Sequence, residues 1–195
     1  MSEYVPRTTP PDPYDLRWIS DDDEYGGYNR CIVINTATGS VLPNCTGYVH
    51  GRWMEVSDST ECPLSVSNAA NYWGYTADGM PRGSEPQLGA VICFSTNGGG
   101  QPGHVAIVEE IIDADTIVTS DSNFGAEYFV MRTRYRSMGW NFWSGSNLTF
   151  QGFIYNPDAG KMKRSILLLA MAAKKRKEEQ ENGKSVRLQQ YTGAL

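Results

Sequence analysis

A chain of 195 residues, 40% hydrophobic and 20% charged, has room for one globular domain with a tail and lacks the bias of a disordered or fibrous protein. Residues 1–160 hold eight Arg and no Lys against nineteen Asp and Glu, a net −11, whereas residues 161–195 hold nine Lys and Arg against three Glu, a net +6. The acidic body excludes nucleic-acid binding, since nothing in it neutralises a run of phosphates, and the longest apolar run, "ILLLAMAA" at 166–173, is too short to span a bilayer.

The N-terminal "MSEYVPRTTPPDPYDLRW" has no apolar h-region, so no secretory signal peptide is expected. Residues 1–30, rich in Pro, Asp, Tyr and Gly, read as an irregular arm. "RCIVINT" is a short strand candidate followed by a turn at "ATGS". Pro43 and Asn44 form a helix-start signal. The helix is expected from Cys45 to about Val56, with Val49, Trp53 and Val56 on one buried face. A second helix is expected over 65–74, "SVSNAANYWG", after a serine cap, and "DGMPRGSEPQLG" reads as a loop.

The pattern then changes to strands. "GAVICFS", "HVAIVEEII", "TIVTSDSN", "FVMRTRYR" and a closing "FQGFIYNP" are β-rich runs separated by Gly or Asp turns. Helices first and an antiparallel sheet afterwards is an α+β order. From 161 on, Met162, Ile166, Leu169 and Ala173 recur at helical spacing between "KMKR" and "KKRK", which predicts a basic amphipathic helix ending near Gly183. The expected division is therefore an arm over 1–30, a body over 31–158 and a helical tail over 159–195.

Four cysteines stand at 31, 45, 62 and 93, with no C-x-x-C pair and only two histidines, so a structural zinc site is poorly supported. Cys93 in "AVICF" and Cys31 in "CIVI" read as small core hydrophobes, and Cys62 beside Pro63 as a loop residue. Cys45 differs. At the first turn of a helix its thiolate would be favoured by free N–H groups and the dipole, although an inert buried cysteine fits the same position. A nucleophile needs a base within reach. His50 lies five residues on, about 140° around the helix, and points elsewhere. His104 opens "GHVAIVEEI" after a glycine-rich loop, where it either faces a cleft or sits at a strand end in solvent.

An imidazole base usually has an orienting acceptor on its second nitrogen. With a two-residue turn at Asp113-Ala114, opposing residue numbers in the "HVAIVEEII"/"TIVTSDSN" hairpin total 227. Asn123 then lies across from His104, with Asp121 one diagonal step away on the same face. A three-residue turn would send both to the other face.

"LPNCTGYVHGRW", "PQLGAVICF", "GHVAIVEEI", "TSDSN" and "FQGFIYNP", in that order over residues 30–157, resemble the CHAP family, cysteine- and histidine-dependent amidohydrolases/peptidases of the papain-like superfamily, with phage lysins of Gram-positive hosts most similar. The resemblance implies a papain-like α+β fold, N-terminal helices packed on an antiparallel sheet. It implies Cys45 as nucleophile and His104 as general base. The third position, usually glutamate with an asparagine two residues on, falls on Asp121 and Asn123; the shorter Asp leaves open which of the two orients the imidazole. The implied reaction is hydrolysis of a peptidoglycan amide, as N-acetylmuramoyl-L-alanine amidase or as stem or cross-bridge endopeptidase. Oxyanion donors would be the Cys45 backbone N–H and, as a second candidate, the Asn44 side chain. Tyr48, Trp73 and Trp140 are candidates to line the substrate groove, although for each of them taken singly burial in the core is the favoured reading.

No metal or other cofactor is expected. Calcium, bound by some relatives, is not supported, since the acidic "SDDDEYGGYN" lies over twenty residues upstream of Cys45 and does not follow the twelve-residue calcium-loop pattern. The partner implied is bacterial peptidoglycan, reached by a lysin made in the host cytoplasm, either free or held in a phage tail whose other proteins bind the arm and the tail helix. The competing functions are a non-enzymatic virion protein that keeps the fold and a papain-like protease acting on protein substrates.

Overall fold

Runs rich in Val, Ile, Phe and Thr, punctuated by Gly and Asp, pair because each is too short and too β-branched to form a stable helix. The computed structural model describes residues 4–32, 44–97, 102–122 and 129–159. Among these residues six strands form one antiparallel sheet: β1 (Arg82–Gly83), β2 (Val91–Thr96), β3 (His104–Asp113), β4 (Thr116–Asp121), β5 (Val130–Tyr135) and β6 (Leu148–Ile154), in the order β1-β6-β2-β3-β4-β5. One α-helix among the described residues, α1 (Cys45–Ser57), packs on one face with Val91, Val105, Ile107 and Ile154. Ile92, Phe94, Ala106, Val108 and Ile117 line the other face, under Trp140 and Phe153. Both faces are covered at β2 and the start of β3, which is why those strands are continuous apolar runs rather than alternating ones. The fold is α+β.

The helix expected over 65–74 does not form. Ser65 Oγ accepts from the Ser67 amide (3.2 Å) and the Ala70 amide donates to the Pro102 carbonyl (2.9 Å), so local and long-range bonds take the backbone groups that a helix needs. A single 3₁₀ turn, Ala69–Asn71, remains. In the "RCIVINT" segment, Arg30 and Cys31 form a turn, Ile32 is irregular and residues 33–36 lie outside the described residues. The helix expected from 161 to 183 also lies outside them.

The N-terminal arm is part of the same compact unit, Tyr4–Gly160. Trp18, in a short 3₁₀ turn, is fully buried against α1. Asn29 fastens the arm, its amide donating to the Arg17 and Gly47 carbonyls (2.9 Å each). A Cβ on Gly51 would lie 2.3 Å from the Trp18 ring. Alanine is normally the better helix residue by about 0.5–1 kcal/mol, but overpacking costs about 1–3 kcal/mol. Gly51→Ala is therefore expected to lower the thermal midpoint, and a raised midpoint in a melting experiment would count against this packing.

Glu109, fully buried on β3, rivets four elements. Its carboxylate accepts from Arg52 of α1 (3.0 and 2.9 Å), Ser120 of β4 (2.7 Å), and the Tyr4 hydroxyl and Arg7 amide of the arm (2.7 and 2.9 Å). Two irregularities in β3, between Val108 and Glu110 and between Ile111 and Asp113, decide the hairpin register. The turn sits at Ala114-Asp115, one residue later than expected, because Asp113 pairs with Thr116. Each bulge then absorbs one residue of β3, so that Ile107 lies opposite Ser120, the pairing the sequence argument reached with an earlier turn and no bulge.

Candidate active site

Asn44 is the N-cap of α1 in extended conformation (φ −146°, ψ 150°), and its carbonyl accepts the first helical bond from the Tyr48 amide (3.1 Å). Cys45 is thus the first helical residue, where backbone N–H groups have no acceptor one turn back. Burial would push the Cys45 thiol up. A hydrogen bond to His104, the charge of that ring, and the backbone amides of Val105 and Thr46 together outweigh it and hold the thiol below its ordinary value.

His104 is placed by the residue before it. Gly103 has φ +71°, and a Cβ there would lie 2.5 Å from the Phe94 carbonyl oxygen and 2.6 Å from the Ala70 nitrogen, so only glycine lets the chain enter β3 at this point. His104 is buried. Its Nε2 donates to Asp121 Oδ2 (2.8 Å), which leaves Nδ1 for the Cys45 thiol. Burial pulls the imidazole down, and the hydrogen bonds to Asp121 and Cys45 more than compensate, so its pKa is raised.

Asp121, at the end of β4, is fully buried, which alone would raise its carboxyl. The charge of Arg134 and the bonds from His104 and Thr119 hold it well below the usual carboxylate range instead. Oδ1 accepts from Thr119 Oγ1 (2.5 Å), and Oδ2 takes the Arg134 guanidinium as well as His104. Alternation along paired strands explains the assembly. His104 lies opposite Phe94, Thr119 opposite Arg132 and Ile117 opposite Arg134, so these side chains share the sheet face away from α1. Cys45 meets them at the end of the sheet, from the N-terminus of α1.

Cys45, His104 and Asp121 are therefore brought together; Asn123 lies outside the described residues. Three readings of the sequence need correction. The Asn44 amide donates to the Cys31 carbonyl (2.6 Å) and Thr46 Oγ1 (2.5 Å), so its two hydrogens are spent inside the chain rather than on an oxyanion. Tyr48 is fully buried with its ring 5.5 Å from that of Trp18, a core residue rather than a groove residue. Trp140, 2% exposed, stands edge-on to Phe153 at 5.9 Å in the core of the opposite face. Trp73 is half-buried over Gly152, where a Cβ would come within 2.4 Å of its ring.

His50 plays no part in this cluster. Its Nε2 donates to the Ser65 carbonyl (3.0 Å) beside Cys31 Sγ (3.3 Å), and burial pushes it down to about 4, so it stays neutral. It borders a separate cavity of about 780 Å³ that none of Cys45, His104 and Asp121 lines. All four cysteines are free thiols, and burial raises Cys31, Cys62 and Cys93. Among the described residues no group of three or more His, Cys, Asp or Glu side chains is arranged to hold a metal ion, and no helix is long and apolar enough to cross a membrane. Sequence reasoning missed Thr119 and Arg134. The signal available was the period-two "RTR" in a strand whose neighbour, Ile117, belongs to a buried face.

No curated protein matches the chain. Similar solved structures include Ly7917 (17% identity, TM-score 0.43, covering 59% of this chain and 54% of that one) and Ly7917 with the hydrolyzing product of MDP (19%, 0.43, with the same coverage). A third is an N-acetylmuramoyl-L-alanine amidase from Staphylococcus aureus (22%, 0.43, covering 70% and 36%). The matched region spans about half the length of the Ly7917 chain. Residues 35–123, which include Cys45, His104 and Asp121, match the family model described as the CHAP domain.

Proposed function

We propose that this chain hydrolyses an amide bond of peptidoglycan with Cys45 as nucleophile, His104 as general acid and base, and Asp121 as the residue that orients the imidazole. The observation that carries the reading is the unbroken line Cys45–His104–Asp121 at a helix N-terminus, within the segment that matches the CHAP domain model. The thiolate adds to the amide carbonyl carbon. The resulting oxyanion is held by the Cys45 backbone N–H, one of the first-turn amides of α1. His104 passes the proton it took from the thiol to the leaving amine, and the C–N bond breaks to leave a thioester. Water, deprotonated by the now neutral His104, attacks that thioester, and the carboxylic acid departs as the thiol is restored. Every proton is carried by groups of this chain.

The resemblance to phage lysins supports an enzyme delivered to the bacterial wall by a phage, either free or as a tail component. The bond cut is that between muramic acid and L-alanine or one within the stem or cross-bridge. Digestion of purified Gram-positive walls, with released fragments identified by mass spectrometry, tests both points. Fragments with new amino termini are expected from untreated protein and not from protein alkylated at Cys45, and their termini name the bond. No release across several wall chemistries, from folded protein with a reduced thiol, would overturn the reading.

A further inference from the structure

We propose that Arg134 is a positioning residue for the chemistry at Cys45: it neutralises Asp121, so that the carboxylate serves His104 as a fixed hydrogen-bond acceptor without setting a net negative charge beside the thiolate. This rests on the thiol mechanism above. Arg134 lies on β5, outside the segment that matches the CHAP family.

The geometry is that of a locked cation. Arg134 is fully buried and all three guanidinium nitrogens are engaged. Nη2 donates to Asp121 Oδ2, Nε donates to Thr119 Oγ1 (2.8 Å), and Nη1 donates to the Trp140 carbonyl (3.2 Å). Phe94 and Phe142 flank it, their ring centres 5.0 and 5.3 Å from the guanidinium carbon. Thr119 completes a closed ring, accepting from Arg134 and donating to Asp121 Oδ1. The groups facing Asp121 are His104 from β3, Thr119 from β4, and Arg132 and Arg134 from β5. Arg132 Nε stands 3.9 Å from Oδ2 and its guanidinium stacks on Phe142 at 4.1 Å, so Arg134 is the close partner.

The electrostatic consequence has a definite sign. Cys45 and Asp121 address opposite nitrogens of one imidazole, so an uncompensated carboxylate would oppose the thiolate across the ring and strengthen the imidazolium. It would raise both the thiol and the imidazole pKa. With Arg134 in place, the Asp–Arg unit is close to neutral and acts as a polar acceptor that also fixes the ring. The one remaining anion at the site is then the nucleophile.

The test follows the rate of Cys45 alkylation by iodoacetamide against pH, read by mass spectrometry on the Cys45 peptide, alongside the pH profile of wall hydrolysis. Arg134→Met is expected to shift the thiolate titration up by about one pH unit and to move the whole hydrolysis profile the same way. Arg134→Lys is expected to titrate with wild type. Asp121→Asn combined with Arg134→Met, which removes both charges, is expected to return the titration to the wild-type position, and it decides the matter if the single Met variant does not fold. A folded Arg134→Met protein with an unmoved titration, or a double variant shifted as far as the single one, would overturn the proposal. Because alkylation needs no substrate, a wild type with a depressed thiol but no wall hydrolysis would sink the proposed substrate and leave the role of Arg134 standing. A wild-type thiol titrating in the ordinary range would sink both.

Discussion

Cys45→Ala is expected to lower amide hydrolysis by about 10⁴-fold or more, the scale on which removal of a covalent nucleophile acts, while changing stability by only about 1 kcal/mol. The asymmetry follows from the site. Cys45 is partly buried and packs against the edge of the α1 core cluster, a modest contribution, whereas its sulfur is the atom toward which His104 and the Val105 and Thr46 amides converge. Cys45→Ser should be nearly as inactive, because a hydroxyl is far harder to ionise and the ion pair with His104 is lost. Steady-state fragment release and urea unfolding, measured on the same preparations, check both halves. Activity above a tenth of wild type in the folded alanine variant would remove Cys45 from the chemistry.

Asp121→Ala should fail in a different way, in stability as well as rate. The carboxylate is the partner of a fully buried arginine, and removing one member of such a pair leaves an uncompensated charge in the interior, at a cost of about 3–5 kcal/mol. The Thr119 hydroxyl loses its acceptor in the same step. Where the variant still folds, loss of the hydrogen bond to His104 Nε2 should cost about a further 10²-fold in rate, the scale of a misplaced catalytic group. Asp121→Asn keeps one acceptor oxygen, enough for either His104 or Thr119 but not both, and by filling the site should lose less stability than alanine. Urea denaturation midpoints distinguish these cases; equal midpoints for alanine and wild type would contradict the buried pair.

The contrast between the two predictions marks how far the residues could be read in order. Helix α1 was legible because Asn44 signals a start and Val49, Trp53 and Val56 recur on one face. The strands β2 to β6 were legible because β-branched runs end at Gly or Asp. The 65–74 segment was not, since what prevents a helix there is an amide bonded to Pro102, more than thirty residues away. The hairpin register came out correctly near His104 through a turn placed one residue early and two bulges that no periodicity announces. Tyr48 and Trp140 carried the right chemistry for a groove and lie instead in the two cores, because burial is a property of what packs above a residue.

By itself, then, the sequence determined the chemistry available: one cysteine at a helix start, one histidine opening a strand, and an acid near the end of the next strand. Those are local facts, written in short-range signals that act within a few residues. Tertiary structure alone decided the electrostatics. Whether Asp121 confronts the thiolate as a bare anion or as half of a neutral pair depends on Arg134, thirteen residues on and across a strand pairing. Charges interact through space in proportion to proximity and burial, and neither is encoded at any one position of the chain.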